Sequence, residues 1–129
     1  MATFKRFEDI EAWQLARELC KLVFKVTSKG DFAKDFTLKD QIKRSSGSSM
    51  DNIAEGYERD GTKEFINFLS ISRASAAEVR SQTYRALDFG YITETEFKEI
   101  YALAERVSKA DYGLMNYLKN CELKGIKWK

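Results

Sequence analysis

The sequence contains no histidine and no proline. Without histidine it lacks the commonest general base, the usual nitrogen ligand for metals and every histidine-activated nucleophile pair. Without proline no helix need be broken or kinked by one. Cysteine occurs only twice, as Cys20 and Cys121. Cys20 falls about 11 residues, or ~16 Å, into a first helix, whereas Cys121 closes the last one. In an up-down arrangement the two lie at different heights, too far apart to bridge, so both are expected as buried thiols. Long apolar runs are missing too, so no span of a bilayer is expected. The opening stretch, Met1 to Asp9, has no apolar core of a secretion signal, which predicts a cytoplasmic protein. A strong charge of one sign is also absent. Lys and Arg total 22 against 20 Asp and Glu, a net +2. That balance gives little pull on a polyanion by itself.

What is present reads as one folded unit. The 129 residues suit a single domain able to bury a sizeable core. Hydrophobic residues make up 43% and charged residues 33%, a folded and water-facing mixture. Four long segments repeat apolar residues every three to four positions, the period of a helix. They cover about 9–28, 37–60, 63–89 and 94–122. In the first, Ile10, Trp13, Ala16, Cys20, Val23 and Thr27 line one face, and Leu15, Leu19, Leu22 and Val26 widen it. Gly30 is placed to end it. Thr37 is the expected N-cap of the second, which carries Leu38, Ile42, Ile53 and Tyr57 inward.

A run of serines, Ser45 to Ser49 around Gly47, interrupts the second segment in composition but not in period. Ser45, Ser49, Asn52 and Gly56 recur at helical spacing, so the run predicts a helix with a small face for close approach of another backbone. A flexible linker is the alternative. Asp60 and Gly61 break the chain, and Thr62 is the expected cap of the third segment. Its inward face is Phe65, Leu69, Ser72, Ala76, Val79, Thr83 and Ala86, beside a second small stripe of Ser70, Ala74, Ala77 and Ser81. Gly90 ends it. Thr93 and Glu96 have the spacing of a capping box for the fourth segment. Its stripe is Phe97, Ile100, Ala104, Val107, Leu114, Leu118 and Cys121, with Gly125 after its end. Strand-like alternation is scarce. The fold class is therefore all-α: an antiparallel, up-down four-helix bundle.

Five blocks carry a family resemblance. They are Phe7-Glu-Asp-Ile-Glu-Ala-Trp, the run from Gln41 to Tyr57, Lys63-Glu-Phe-Ile-Asn-Phe-Leu, Ser72-Arg-Ala-Ser-Ala-Ala-Glu and Asp88-Phe-Gly-Tyr-Ile. Together they resemble the bacterial four helix bundle protein family, whose founding members are encoded in intervening sequences of 23S ribosomal RNA genes. The resemblance implies a left-handed bundle assembled into a ring, a homopentamer. It also implies a distant similarity to the accessory variability protein of diversity-generating retroelements, which binds nucleic acid and a reverse transcriptase. Relatives commonly carry proline where this chain has Met50, so the second helix is expected to be straighter here.

Three groups of residues are candidates for function. Asn52, Glu55, Arg73 and Glu78 form a polar set in small, apolar surroundings. They would either bind an anion or, the reading favoured here, pair among themselves to fix helix register or a subunit contact. The second group is basic and aromatic: Lys5 and Arg6 near the start, and Lys119, Lys124, Lys127, Trp128 and Lys129 at the end. Four lysines against Glu122 make residues 119 to 129 locally +3. Such cations beside a stacking ring suit RNA, and a ring of subunits would multiply the contacts around one rim. Otherwise they are a solvated, frayed tail. Third, Leu15, Leu19, Leu22, Tyr101, Tyr112 and Met115 exceed what one inward stripe per helix requires, which marks an oligomer interface or a broad core. A di-metal carboxylate site would need Glu-x-x-His motifs that a histidine-free chain cannot supply. No cofactor or metal is expected. The resulting expectation is a non-enzymatic homo-oligomer that engages RNA or a nucleic-acid-binding protein. The alternative is a structural or protein-interaction module without nucleic-acid binding.

Overall fold

The computed structural model describes residues 4–125 and 127–128. Four helices carry the chain: α1 Glu11–Thr27, α2 Phe36–Glu58, α3 Thr62–Asp88 and α4 Glu94–Lys124. Short 3-10 turns, Phe7–Asp9 and Gly30–Lys34, precede α1 and α2. Neighbours in sequence pack side by side, and α4 returns to pack on α1, which closes an up-down, antiparallel four-helix bundle. No helix among the described residues is long and apolar enough to cross a membrane.

The joints follow from local chemistry. Gly90 takes φ +76°, and the last turn of α3 closes with Tyr91 N–H on Ala86 O (2.9 Å) and Gly90 N–H on Leu87 O (3.0 Å). That pair of bonds is a Schellman motif, and glycine makes its left-handed residue cheap. Thr93 and Glu96 form the anticipated capping box, with bonds of 2.9 and 3.1 Å. Lys29 reaches Glu96 at 2.7 Å and ties the α1–α2 joint to the start of α4. Two expected caps move. α2 begins one residue before Thr37, and Asp35 caps it by accepting from Leu38 N–H at 3.0 Å. That bond, followed by one from the Tyr91 hydroxyl, holds the Asp35 carboxyl below its ordinary range. At α3 the N-cap is Gly61, because Thr62 already lies in the helix and its hydroxyl serves the C-terminal segment instead.

α2 runs unbroken through the serines, so the linker alternative falls. Ser45, Ser49 and Gly56 are buried, and the close approach is real at Gly56: a Cβ there would stand 2.6 Å from Phe68 Cβ on α3. The inward faces of α2 and α3 are buried residue for residue as their period predicts. In α1 the buried stripe is rotated from the predicted one. Ala12, Ala16, Leu19, Val23, Val26 and Thr27 are buried, while Trp13 and Cys20 are only half-buried. Leu19 is thus a core residue of this chain and not available as an interface contact. The helix is apolar over most of its circumference, so periodicity alone could not choose the inward direction. Trp13 instead packs edge-on against Phe7 with Arg17 above it, and Cys20 turns toward Ser46 of α2, where burial raises its thiol pKa. Cys20 and Cys121 are both free thiols.

Candidate functional site: an arginine–tyrosine face and a buried carboxyl

Both described ends of the chain meet at one pole, on the residues that join α2 to α3. Tyr57 donates its hydroxyl to Phe4 O at 3.1 Å. Trp128 donates its indole N–H to Thr62 Oγ1 at 2.9 Å and packs on the rings of Phe65 (5.0 Å) and Tyr57 (5.9 Å). Only 5% of Trp128 is exposed, so it plugs the end of the core and is not a free stacking ring. The expectation of a frayed tail fails at this residue for the same reason. An indole hides a large apolar surface and satisfies its single donor in one move.

The cations of this pole are interleaved with acids. Arg6 reaches Asp9 at 3.4 Å, Lys63 reaches Glu122 at 3.7 Å, and Arg59 reaches Glu55 at 3.0 Å. The Lys5 backbone N–H, and then the Arg6 side chain, hold the Asp9 carboxyl low. Lys5, Lys119, Lys124 and Lys127 are exposed. Lys129 lies outside the described residues.

The polar set Asn52, Glu55, Arg73 and Glu78 does not assemble within one chain. Asn52 donates to Ser48 O (2.8 Å) and Ser48 Oγ (3.0 Å) within its own helix. Glu55 pairs with Arg59. Arg73 and Glu78 leave α3 on opposite flanks, toward α4 and toward α2. The network that does cross the bundle is made of hydroxyls. Ser49 and Ser72 share a bond of 3.0 Å, as do Ser48 and Ser75, and Ser72 donates to Asp111 Oδ2 at 2.7 Å.

Asp111 is fully buried, and burial pushes its carboxyl up to about 7, against the opposing pull of the Ser72 hydroxyl and the nearby Arg73 charge. Its Oδ1 has no hydrogen-bond partner among the described residues. Sequence reasoning missed this residue, although a signal was present. The α4 stripe steps from Val107 to Leu114, and Asp111 is the residue one helical turn beyond Val107 that fills the gap.

The flank of α3 that meets α4 carries the other concentration of functional groups. The Arg73 guanidinium lies 4.6 Å from the centre of the Tyr112 ring, and its Nε donates to Ser108 Oγ at 3.3 Å. One heptad further along α3, the Arg80 guanidinium lies 5.7 Å from the Tyr101 ring. Tyr101 belongs to an aromatic cluster with Tyr84 (5.8 Å) and Phe97 (5.6 Å). Between the arginines, Ser70, Ala74, Ala77 and Ser108 line a shallow groove of about 300 Å³. Neither arginine makes an ion pair among the described residues, and Arg80 Nε is buried without a hydrogen-bond partner. Of the interface candidates, Tyr101 and Met115 are half-buried and Tyr112 is exposed, whereas Leu15 and Leu22 are half-buried against the core from α1. The face was hidden in the sequence because each ring sits more than 20 residues from its arginine.

Comparison with known proteins agrees with this architecture. A solved structure titled as a protein of unknown function from the S23 ribosomal protein family of Bacteroides thetaiotaomicron VPI-5482 has a TM-score of 0.74. It is 23% identical and covers 81% of this chain and 95% of its own, a likeness that shows the fold. No curated protein gives a significant match. The family model described as 23S rRNA-intervening sequence protein matches residues 8–113, and the chain therefore belongs to that family.

Proposed function

We propose that this chain is a non-enzymatic, cytoplasmic, self-associating bundle that engages RNA through the arginine–tyrosine face of α3 and α4. The observation that carries the RNA clause is the pair of guanidinium groups on tyrosine rings, Arg73 on Tyr112 and Arg80 on Tyr101, neither in an ion pair among the described residues. Seven residues separate them, roughly 10 Å along the helix. A guanidinium stacked on a ring keeps its outer N–H edges for a phosphate, and exposed tyrosine adds a surface for an unpaired base. On this reading RNA meets the side of the bundle in preference to the terminal pole, where Trp128 is buried and Arg6 pairs with Asp9. The family description names an intervening sequence of 23S rRNA, so a structured fragment of that RNA is the natural probe. The non-enzymatic clause rests on the histidine-free sequence and on the complete burial of the Ser72–Asp111 hydroxyl–carboxyl pair, which keeps it from a substrate. The self-association clause rests on exposed Ile71 and on the pentameric ring implied by the family resemblance.

Fluorescence anisotropy with the RNA fragment should show binding at about 50 mM salt that weakens steeply by about 200 mM. Arg73→Ala with Arg80→Ala should cost at least roughly tenfold in affinity and reduce the salt slope by about two. Lys124→Ala with Lys127→Ala should change little. No binding at low salt, or binding untouched by the double arginine change, would refute the RNA clause. Light scattering at the mass of one chain would refute self-association. A protein-interaction module is the second reading, favoured by the small floor of Ser70, Ala74 and Ala77, which fits the ridge of a helix. It is selected if the double arginine change abolishes capture of a protein partner while no RNA binds.

A further inference from the structure

The opposite flank of α3 holds a second groove, lined by Gln41, Arg44, Ser45 and Ser48 of α2 and by Ser75, Glu78, Gln82 and Arg85 of α3. Its volume is about 520 Å³, within the range of small-molecule sites. Its chemistry is divided. Arg44 and Arg85 stand on the two walls, one from each helix, and Arg85 is steadied by a 2.7 Å bond to Gln41 Oε1. Ser48 and Ser75 join hydroxyls across the floor. Gln82 is 8% exposed, and its buried Oε1 has no hydrogen-bond partner among the described residues. Glu78, one turn away on the same wall, makes no ion pair with either arginine. A buried amide oxygen without a donor is uncommon in folded proteins and costs stability until something donates to it.

The groove therefore offers two cationic donors and two unspent acceptors. A simple anion satisfies the first pair and leaves the second unmet. A neutral polyol does the reverse. We propose that this α2–α3 groove binds a sugar phosphate, with the phosphate held between Arg44 and Arg85 and sugar hydroxyls donating to Gln82 Oε1 and the Glu78 carboxylate. The two kinds of partner converge in one molecule only when an anion and hydroxyls are linked, as in the ribose phosphate of a nucleotide. This site is separate from the arginine–tyrosine face and stands whether or not that face binds RNA.

Titration calorimetry of the full chain with ribose 5-phosphate tests it. Saturable binding is expected, at least roughly tenfold tighter than inorganic phosphate or ribose alone. Arg44→Ala with Arg85→Ala should abolish it. Gln82→Met, which keeps the side chain's volume but removes its acceptor, should erase the preference over inorganic phosphate while leaving the helical spectrum intact. Arg73→Ala with Arg80→Ala should leave binding unchanged. In the Arg73→Ala/Arg80→Ala background, adenosine monophosphate and a 5′-phosphorylated oligoribonucleotide then tell a free nucleotide from the end of a chain, by which binds more tightly. The proposal is overturned by equal affinity for inorganic phosphate and ribose 5-phosphate, by indifference to the Arg44/Arg85 change, or by no saturation up to about 10 mM.

Discussion

The core around α1 and the core where α2, α3 and α4 meet are built from different materials. Around α1 the buried groups are Ala12, Ala16, Leu19, Val23 and Val26, with Phe32 behind them. The buried polar side chain on that helix, Thr27, folds its hydroxyl back onto Val23 O at 2.8 Å. On the other side, Ser45, Ser49, Ser72, Ser75, Ser108 and Asp111 are buried together, beside the Gly56 contact with Phe68. Hydrocarbon gains stability by leaving water and is indifferent to small slides of one helix along another. Hydroxyl pairs and a carboxyl are not indifferent, because their bonds exist only at one register. Hydrocarbon from all four helices, joined in one core, thus supplies much of the stability, and the hydroxyls and carboxyl added between α2, α3 and α4 decide how those helices align.

That contrast is tested first by its largest consequence. Leu19→Ala should cost about 3 kcal/mol, the lost transfer energy plus a cavity. Denaturant melts should return the same cost at pH 4.5 and pH 8, because nothing that titrates was removed. A cost that changes with pH would mean the two halves are not separable. Asp111→Asn should behave in the opposite way. The folded carboxyl titrates near 7, far above its ordinary 3.8, so across that window the native state holds a proton that the unfolded chain has released. Stability contributed by the protonated form is complete below the unfolded value and is lost as pH rises through about 7. Asparagine cannot ionise and still accepts from Ser72. Relative to the parent, the variant should therefore gain about 3 kcal/mol between pH 4.5 and pH 8, a shift visible in urea midpoints. Equal stability at both pH values would show that the ionised carboxyl is solvated or paired.

The same division explains what could be read from the chain. The α3 stripe, its Gly90 stop and the Thr93–Glu96 box depend on residues within a turn or two of each other, and all appear in the structure as their spacing predicts. Asp111 broke the rule that core positions are apolar, so a stripe assembled from apolar residues stepped over it. Trp128 and the tyrosines under Arg73 and Arg80 depend on which helices face each other, information that periodicity along one helix does not hold. In α1 too much apolar surface blurred the answer, and the buried stripe turned out to be rotated about the helix axis. At the terminal pole Lys5, Lys119, Lys124 and Lys127 are exposed as their charge predicts, but Arg6 pairs with Asp9 and Trp128 is buried, a contact that is not written in the local sequence pattern.

The smallest expected effect separates the two halves within a single helix. Gly47 and Gly56 both lie inside α2, where alanine in place of glycine gains about 1 kcal/mol from backbone entropy alone. A Cβ at Gly47 meets nothing within 4 Å, so Gly47→Ala should stabilise by about that amount or slightly less. A Cβ at Gly56 meets Phe68 Cβ at 2.6 Å and Phe65 Cδ1 at 3.0 Å. The first of these atoms is anchored to the backbone of α3 and cannot swing away, so the helices must part. Overpacking of this kind costs about 2 kcal/mol, which exceeds the entropy gain and leaves Gly56→Ala destabilised by about 1 kcal/mol. Thermal melts of the two variants should therefore move in opposite directions from the parent. If both rise, α2 and α3 separate at no cost, and the serine bonds at Ser49 and Ser72 are not what holds their register. If Gly56→Ala alone falls and Asp111→Asn then loses its pH-dependent advantage in that background, the glycine contact and the buried carboxyl act as one alignment device spanning three helices.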